Sequence, residues 1–287
     1  MISVLVLTNN EELNLPGCLA SVTWSDDVHV FDSQSTDRTA EIARAGGAQL
    51  HCRAFTNYAE QRNAALQGIP FLHDWVLLLD ADERIPVALA DEMRQFVTSA
   101  PKATVAARIR RRDYLSGTWL KHAQISPFYI RLVRPKQVHY EREINEVLVP
   151  HGGVADLLEH FDHYPFSKGI SHWVEKHNCY SNMEAVRART ERIGANPFSL
   201  WAALFSRDFN VRRFHQKGLF YRLPGRPLIK LLYMFFIRGA FLDGRAGWTY
   251  VRLQFFYEFL IVHKERELAH TPQVHAVAQN TPPEAKK

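Results

Sequence analysis

Short apolar runs alternate with helical patterns through about the first hundred residues. Ile2–Leu7, Asp27–Phe31, Gln49–Cys52 and Val76–Leu79 read as strands, the last a compact apolar run that ends in acids. Between them, Glu11–Val22, Thr36–Ala45 and Tyr58–Gln67 carry helical spacing. The second of these stops at Gly46-Gly47, a natural C-cap. Strand–helix alternation of this kind predicts an α/β fold, a mostly parallel sheet with helices on both faces. Ala103–Arg112 and Phe128–Val133 read as further strands, antiparallel at an edge of that sheet. The pattern changes at Ser171: His172–Ile193 is helical, and residues 198–265 combine many aromatics with Arg and Lys. After Glu267 the chain is polar, contains proline and reads as disordered.

Composition narrows the class. With 287 residues, 46% of them hydrophobic, the chain can build one large domain with an appendage, or two small domains. The formal net charge of +5 is only mildly basic. Three cysteines, Cys18, Cys52 and Cys179, follow neither a metal nor a disulfide spacing, which favours a reducing compartment. The N-terminal residues read as a first strand rather than a signal peptide. The nearest thing to a membrane span, Leu231–Ile237, is bounded by Lys230 and Arg238 and is too short to cross.

The chemistry concentrates where the strands end. Val76–Leu79 runs straight into Asp80-Ala-Asp82-Glu83, so two carboxylates emerge at the carboxyl end of a buried strand. In an open α/β sheet that edge binds ligands. Hard oxygen ligands one residue apart suit Mg²⁺ or Mn²⁺, which take one or two carboxylates and complete their shell with phosphate oxygens. Thr8-Asn-Asn10-Glu11 follows the first strand, and Asp32-Ser-Gln-Ser-Thr-Asp37 follows the second, at the same edge. Asp32 is placed to accept hydrogen bonds from a nucleobase or ribose. Ser35 or Thr36 would cap the next helix, with Asp37 adding favourable charge in its first turn. Arg62, in the helix before the fourth strand, would pair with phosphates or hold Asp32 and Asp80 in place. Neither a Gly-x-Gly-x-x-Gly nor a Walker loop follows a strand, which argues against a Rossmann dehydrogenase, a P-loop nucleotidase and a nucleotidyltransferase.

Taken together, Thr8-x-Asn10-Glu11, Asp32-Ser-x-Ser-Thr-Asp37, Arg62-Asn63 and Asp80-Ala-Asp82-Glu83 resemble family 2 glycosyltransferases of the GT-A fold, across about the first hundred residues. Gly117-x-Trp119, Arg131-Leu-Val-Arg134, Asn145-Glu146 and His163-Tyr164 extend the likeness to the branch of lipopolysaccharide-core β-1,4-glucosyltransferases. That branch usually has His where this chain has Asn145. The resemblance implies an inverting transfer of a hexose, glucose by analogy, from a UDP-sugar to a glycan or lipid-linked acceptor, in cell-envelope polysaccharide or lipopolysaccharide-core synthesis. It implies donor binding by Thr8, Asn10, Glu11, Asp32, Arg62 and Asp80, and a divalent cation on Asp82 and His163. Trp119 and Arg131 fall on the acceptor side. Glu146 becomes the candidate catalytic base, with Glu141 and Glu143 as neighbours that compete for the role. Arg131 and Arg134 alternate with Leu132 and Val133, which reads as one basic strand face, open either to phosphate or to solvent. On this reading residues 1–170 are the catalytic domain, with 1–100 for the donor and 101–170 for the acceptor. Residues 171–267 are then a helical extension and 268–287 a disordered tail.

Aromatics interspersed with Lys and Arg suit a peripheral position at the membrane surface, with Arg226, Lys230 and Arg238 around the Leu231–Ile237 cluster. Phe241–Trp248 reads as a glycine-containing turn into another aromatic helix. The cations are too scattered for a nucleic-acid interface. The expected location is cytoplasmic, on the inner face of the cytoplasmic membrane. The alternative function is a non-catalytic sugar-nucleotide or glycan-binding scaffold of the same fold.

Overall fold

The computed structural model describes residues 1–141, 146–193, 199–206 and 209–270. The chain divides into two compact units, the first comprising Met1–Lys121 and Ile125–Lys168, the second His122–Gln124 and the chain from Gly169 onward.

The first unit opens with β1 (Ser3–Thr8), α1 (Leu15–Ala20), β2 (Val28–Asp32), α2 (Thr39–Ala45), β3 (Gln49–Cys52), α3 (Tyr58–Gly68) and β4 (Val76–Asp80). β5 (Glu83–Arg84), α4 (Val87–Ser99), β6 (Thr104–Leu115), β7 (Thr118–Trp119) and β8 (Phe128–Val133) follow. β9 (Val138–Glu141), β10 (Val147–Pro150) and β11 (Gly153–His163) complete it. A nine-stranded sheet runs in the order β3-β2-β1-β4-β8-β6-β11-β5, with β7 paired to β6, while β9 and β10 form a separate ribbon. β3, β2, β1 and β4 are parallel, as the alternation with helices predicts. Their register sets Thr8 opposite Asp32 and Leu7 opposite Asp80, so these strands end flush at one edge.

Both sheet faces are buried in the parallel half. Val4, Val6, Leu77 and Leu79 pack with Leu15, Cys18, Leu89 and Met93 on one side. Leu5, Val76 and Leu78 pack with Ala65 and Leu66 of α3 on the other. Each fully buried Leu or Val contributes about 1.5–3 kcal/mol, which is why the central strands β1 and β4 read as near-continuous apolar runs, whereas β3 at the edge does not.

β8 departs from its expected place. It is antiparallel, but it lies inside the sheet between β4 and β6, because Leu132 and Val133 are fully buried and an edge would leave one side of them unpaired. α1 begins at Leu15 rather than Glu11, because residues 11–14 form a turn whose donors go elsewhere. α2 begins at Thr39 rather than Thr36. Neither Ser35 nor Thr36 caps it; Asp37 does the nearest equivalent, accepting from the Thr39 N–H at 3.0 Å and its hydroxyl at 2.5 Å.

The second unit contains α5 (Gly169–Ile193), α6 (Leu200–Phe205), α7 (Phe209–Arg222), α8 (Arg226–Leu232) and α9 (Gly244–His270). α9 includes residues 268–270, and the rest of the segment read as disordered lies outside the described residues. Ala185, Ile261 and Leu268 form a buried contact between α5 and α9. Arg226 is buried and pairs with Glu258 at 2.8 Å and Glu265 at 3.2 Å, and Lys230 pairs with Glu258 at 3.3 Å. Two of the three cations expected at a lipid surface are therefore internal ties, because α8 lies along α9 and meets its acids. The predicted turn before α9 is held by Asp243, whose carboxylate accepts the N–H groups of His122 (2.9 Å) and Ala123 (2.7 Å). Among the described residues no helix is long and apolar enough to cross a membrane. Trp201, Phe236, Ile237 and Leu242 are nonetheless well exposed.

Two predictions arise from this unit. A Cβ at Gly247 would lie 2.0 Å from the Ala240 carbonyl oxygen, a backbone atom that cannot step aside cheaply. Gly247→Ala is expected to cost about 1–3 kcal/mol in urea denaturation. His177 stacks on Trp173 at 3.5 Å, and its Nδ1 meets the Trp173 carbonyl at 2.8 Å. Burial pulls its pKa down to about 4, the Trp173 carbonyl opposing and Lys176 and Lys230 assisting. A folded pKa below the unfolded one makes the contribution of neutral His177 present above about pH 6.5 and lost as pH falls toward 4. His177→Asn, which keeps a donor for that carbonyl, is expected to lessen the loss of denaturation midpoint between pH 7 and pH 4.5.

Candidate functional site

The loops after β1 and β2 interlock. The Thr8 hydroxyl donates to Asp32 Oδ1 at 2.8 Å, the Ser35 hydroxyl to the same oxygen at 2.5 Å, and the Ser35 N–H to Oδ2 at 2.8 Å. Asn10 takes a left-handed φ of 53°, tolerable for Asn, and its N–H donates to Ser35 Oγ while its side-chain oxygen accepts from the Thr36 N–H. Glu11 receives Lys168 Nζ at 2.6 Å, and its N–H donates to Thr39 Oγ1. Burial raises the Glu11 pKa, with Lys168 opposing. Asp32 is 2% exposed and accepts two donors on Oδ1 and one on Oδ2, so it orders the two loops directly.

At the end of β4, Asp80 lies between two guanidinium groups. Arg62 reaches Oδ1 at 3.0 Å and Arg131 reaches Oδ2 at 2.9 Å. Burial alone would raise this carboxyl, but the two arginines hold it well below the usual carboxylate range. The side chain remains 36% exposed, so it is still reachable by a ligand. Arg62 also pairs with Glu146 at 3.2 Å and lies over the Tyr140 ring. Asn63 secures this arrangement by exchanging two hydrogen bonds with the Tyr140 backbone, at 2.7 and 2.8 Å.

Arg131 is neither on a phosphate-facing strand surface nor in solvent. It is buried, bonded to Glu83 as well as Asp80, and flanked by the rings of Tyr129 and Phe161. β8 has one residue more than β6 between the pairs Arg108–Ile130 and Ala107–Leu132, so Arg131 occupies a β-bulge that re-aims its side chain. Arg134 lies three residues on, a spacing that cannot share a strand face, and it covers Trp75 instead. Glu83 is 1% exposed, accepts the Asp80 N–H at 3.0 Å, and has its pKa pushed up to about 7 by burial, with Arg131 opposing.

Asp82 Oδ2 faces His163 Nε2 at 3.3 Å, while His163 Nδ1 meets buried Asp113 at 2.5 Å. Burial lowers the imidazole pKa, but Asp82 and Asp113 together raise it to about 9. This carboxylate–histidine pairing fixes the ring and directs Nε2 toward Asp82, the arrangement that orients metal-ligating histidines. Among the described residues no three His, Cys, Asp or Glu side chains gather into a metal site. A pair of ligands fits a Mg²⁺ or Mn²⁺ ion that draws its other ligands from diphosphate and water. Trp119 stands apart from this cluster, beneath Arg112 at 4.9 Å. Glu141 is paired with His139 at 2.9 Å, and Glu143 and Asn145 lie outside the described residues.

Three participants have roles that the sequence pattern does not assign. Glu83 closes the Asp80-Ala-Asp82-Glu83 motif, but its pairing with Arg131 is not legible there. Asp113 is a buried acid on the strand face of Val105, Ala107 and Ile109, two residues from its partner Arg111 on the same face. Lys168 carries no local signal, because its partner Glu11 is distant in the chain.

A flush row of parallel strands whose ends carry an Asp-x-Asp pair beside basic side chains describes a GT-A type fold. The chain belongs to glycosyl transferase family 2, which matches residues 3–155, more than half its length. It is 27% identical over 281 residues to an uncharacterized glycosyltransferase of Rickettsia typhi, covering 93% of this chain and 87% of that protein. It is also 26% identical over 275 residues to the lipopolysaccharide core biosynthesis glycosyltransferase LpsC of Rhizobium meliloti, covering 92% and 91%. A crystal structure of Staphylococcus aureus TarS residues 1–349 with UDP-GlcNAc matches with TM-score 0.47 and 13% identity, over 96% of this chain and 92% of that one.

Removing Arg131 would leave Glu83 buried and unpaired. Arg131→Met is expected to destabilise the chain by about 3–5 kcal/mol in urea titration. Adding Glu83→Gln should recover more than about 1 kcal/mol, a coupling that a double-mutant cycle measures.

Proposed function

We propose that this chain is an inverting glycosyltransferase that moves a hexose, with glucose as the first candidate, from a UDP-sugar to a glycan or lipid-linked acceptor. The product would enter cell-envelope polysaccharide or lipopolysaccharide-core synthesis, a context supported by the full-length similarity to LpsC. One observation carries the reading: Asp80 and Asp82 lie at the flush carboxyl edge, one clamped by Arg62 and Arg131, the other turned toward His163.

In this proposal Thr8, Asn10, Glu11 and Asp32 shape the nucleoside end of the donor site, and Arg62 and Asp80 position the ribose and diphosphate. Asp82 and His163 would hold Mg²⁺ or Mn²⁺, with Asp113 keeping the His163 ring oriented. When bound, the cation supplies charge neutralisation for the leaving diphosphate. Glu146, half-buried and 3.2 Å from Arg62, is the proposed base. It takes the proton of the acceptor hydroxyl as that oxygen bonds to the anomeric carbon and the bond to the diphosphate breaks. Such a positioned base contributes about 10²–10⁴-fold. Residues 1–100 serve the donor and 101–170 the acceptor, while the helices from residue 171 rest on the cytoplasmic membrane surface. Exposed Phe236, Ile237 and Leu242 support that contact, with Arg238 and Arg245 as the nearby cations available to anionic headgroups.

Calorimetry on the purified chain should detect UDP binding that depends on Mn²⁺, and Asp82→Ala should abolish the dependent part. Unchanged Mn²⁺-dependent binding would remove Asp82 from the metal site. Glu146→Gln should keep donor affinity and lose transfer by at least about 10²-fold; full turnover in that variant would exclude it as the base.

A further inference from the structure

The outer face of β6 carries a row of cations that the donor chemistry does not use. Arg108, Arg110 and Arg112 alternate along the strand and therefore project from one side, opposite to Arg111 and Asp113. On the neighbouring strands the same side presents Phe128, across from Arg110, and His160 beside it. The three cations are not equivalent. Arg108 is neutralised by Asp156 through two hydrogen bonds, at 2.6 and 2.8 Å. Arg110 is exposed, makes no ion pair among the described residues, and lies over the Phe128 ring at 4.7 Å. Arg112 lies over the Trp119 ring at 4.9 Å and approaches His160 Nδ1 at 3.3 Å, and Lys121 caps the same indole at 5.7 Å.

Two donors in this cluster lack acceptors. Arg112 Nε and Trp119 Nε1 are buried atoms with no hydrogen-bond partner among the described residues. Buried donors are ordinarily satisfied, and here they sit beside the exposed Arg110 guanidinium and flat apolar rings. The Arg112 charge is offset by Asp162 on the neighbouring strand, and its guanidinium bonds the Tyr114 side chain. Rings of this kind receive the apolar face of a sugar, while arginine forks bind phosphate or carboxylate oxygens. The row also leads toward the transfer edge. Tyr114, next in the alternation, stacks on Tyr164 at 5.2 Å, and the Tyr164 N–H donates to the Asp82 carbonyl at 2.9 Å.

We propose that Arg110, Arg112 and Trp119 form an acceptor subsite that binds a sugar unit bearing an anionic group, phosphate or carboxylate. The inference rests on the glycosyl-transfer reading and specifies the acceptor as an acidic glycan. A plain solvated basic face would account for Arg110 alone, but not for orphan donors beneath two stacked cations.

The test uses the full chain labelled with ¹⁵N, with the Trp119 indole signal assigned from its loss in Trp119→Phe. Glucose 6-phosphate, glucose and inorganic phosphate serve as probes. The sugar phosphate should shift that signal with a dissociation constant at least about tenfold below either other probe, as expected for one added charge-assisted contact. Arg110→Glu should weaken it at least about tenfold and Arg110→Lys much less, with binding falling as salt rises. Arg110 is exposed, so the thermal midpoint of these variants checks that the fold persists. Equal binding of glucose 6-phosphate by Arg110→Glu would overturn the subsite, and equal binding of phosphate alone would overturn its sugar component. A glucuronic acid arm separates carboxylate from phosphate recognition, and failure with both anions overturns the proposal. Asp82 and Glu146 test the donor reading through different residues and a different ligand, so either idea can fall without the other.

Discussion

Two arginines drawn from different elements onto one carboxylate make the carboxyl edge of the sheet possible. Asp80, Asp82 and Glu83 emerge within four residues of chain, and burial penalises the charges of Asp80 and Glu83. Arg62 from α3 and Arg131 from β8 neutralise Asp80, and Arg131 answers Glu83 as well. A buried ion network of this kind is a modest source of net stability, since each partner also loses hydration. Its larger effect is geometric: β8 lies between β4 and β6, and its bulge turns Arg131 inward onto Asp80 and Glu83.

The clamp also links the parts of the site. Arg62 touches Asp80 with one nitrogen and Glu146 with another, so the proposed base and the donor-side acid share a cation. On the other side of Asp82, Asp113 turns the His163 ring, and the Tyr164 N–H holds the Asp82 backbone. The Asp-x-Asp segment is thus braced from three strands, and its side chains do not have to find their places when a ligand arrives. Preorganisation of this sort is what makes charged groups effective in transfer chemistry.

Some of the site could be read directly from the chain. Asp80 and Asp82 follow four consecutive apolar residues, and Thr8 and Asp32 follow two other apolar runs, so strand ends marked the site before any contact was known. Arg62, whose place before the fourth strand suits either phosphate or these acids, pairs with Asp80. Arg131 was misplaced, because a bulge breaks the alternation on which face assignment depends. Ser35 and Thr36 do not cap a helix, since the Ser35 hydroxyl turns back to Asp32 at the end of β2 and the Thr36 hydroxyl goes to Asn10 in the loop after β1. Arg226 and Lys230 suit a lipid surface by composition, yet they meet Glu258, 32 and 28 residues further along.

Local periodicity determined the parallel half-sheet, the helices between its strands and the edge at which the acids gather, because those features depend on spacing of two or about 3.6 residues within a single segment. Family 2 membership was likewise legible, since it rests on the order of short motifs along the chain. The sheet order beyond β4, the inward turn of Arg131, the Asp113–His163–Asp82 alignment and the Lys168–Glu11 tie were decided only on folding. The side-chain pairings among them join charges far apart in the chain, and the energy of such a pair depends on distance and burial, which no one-dimensional pattern contains.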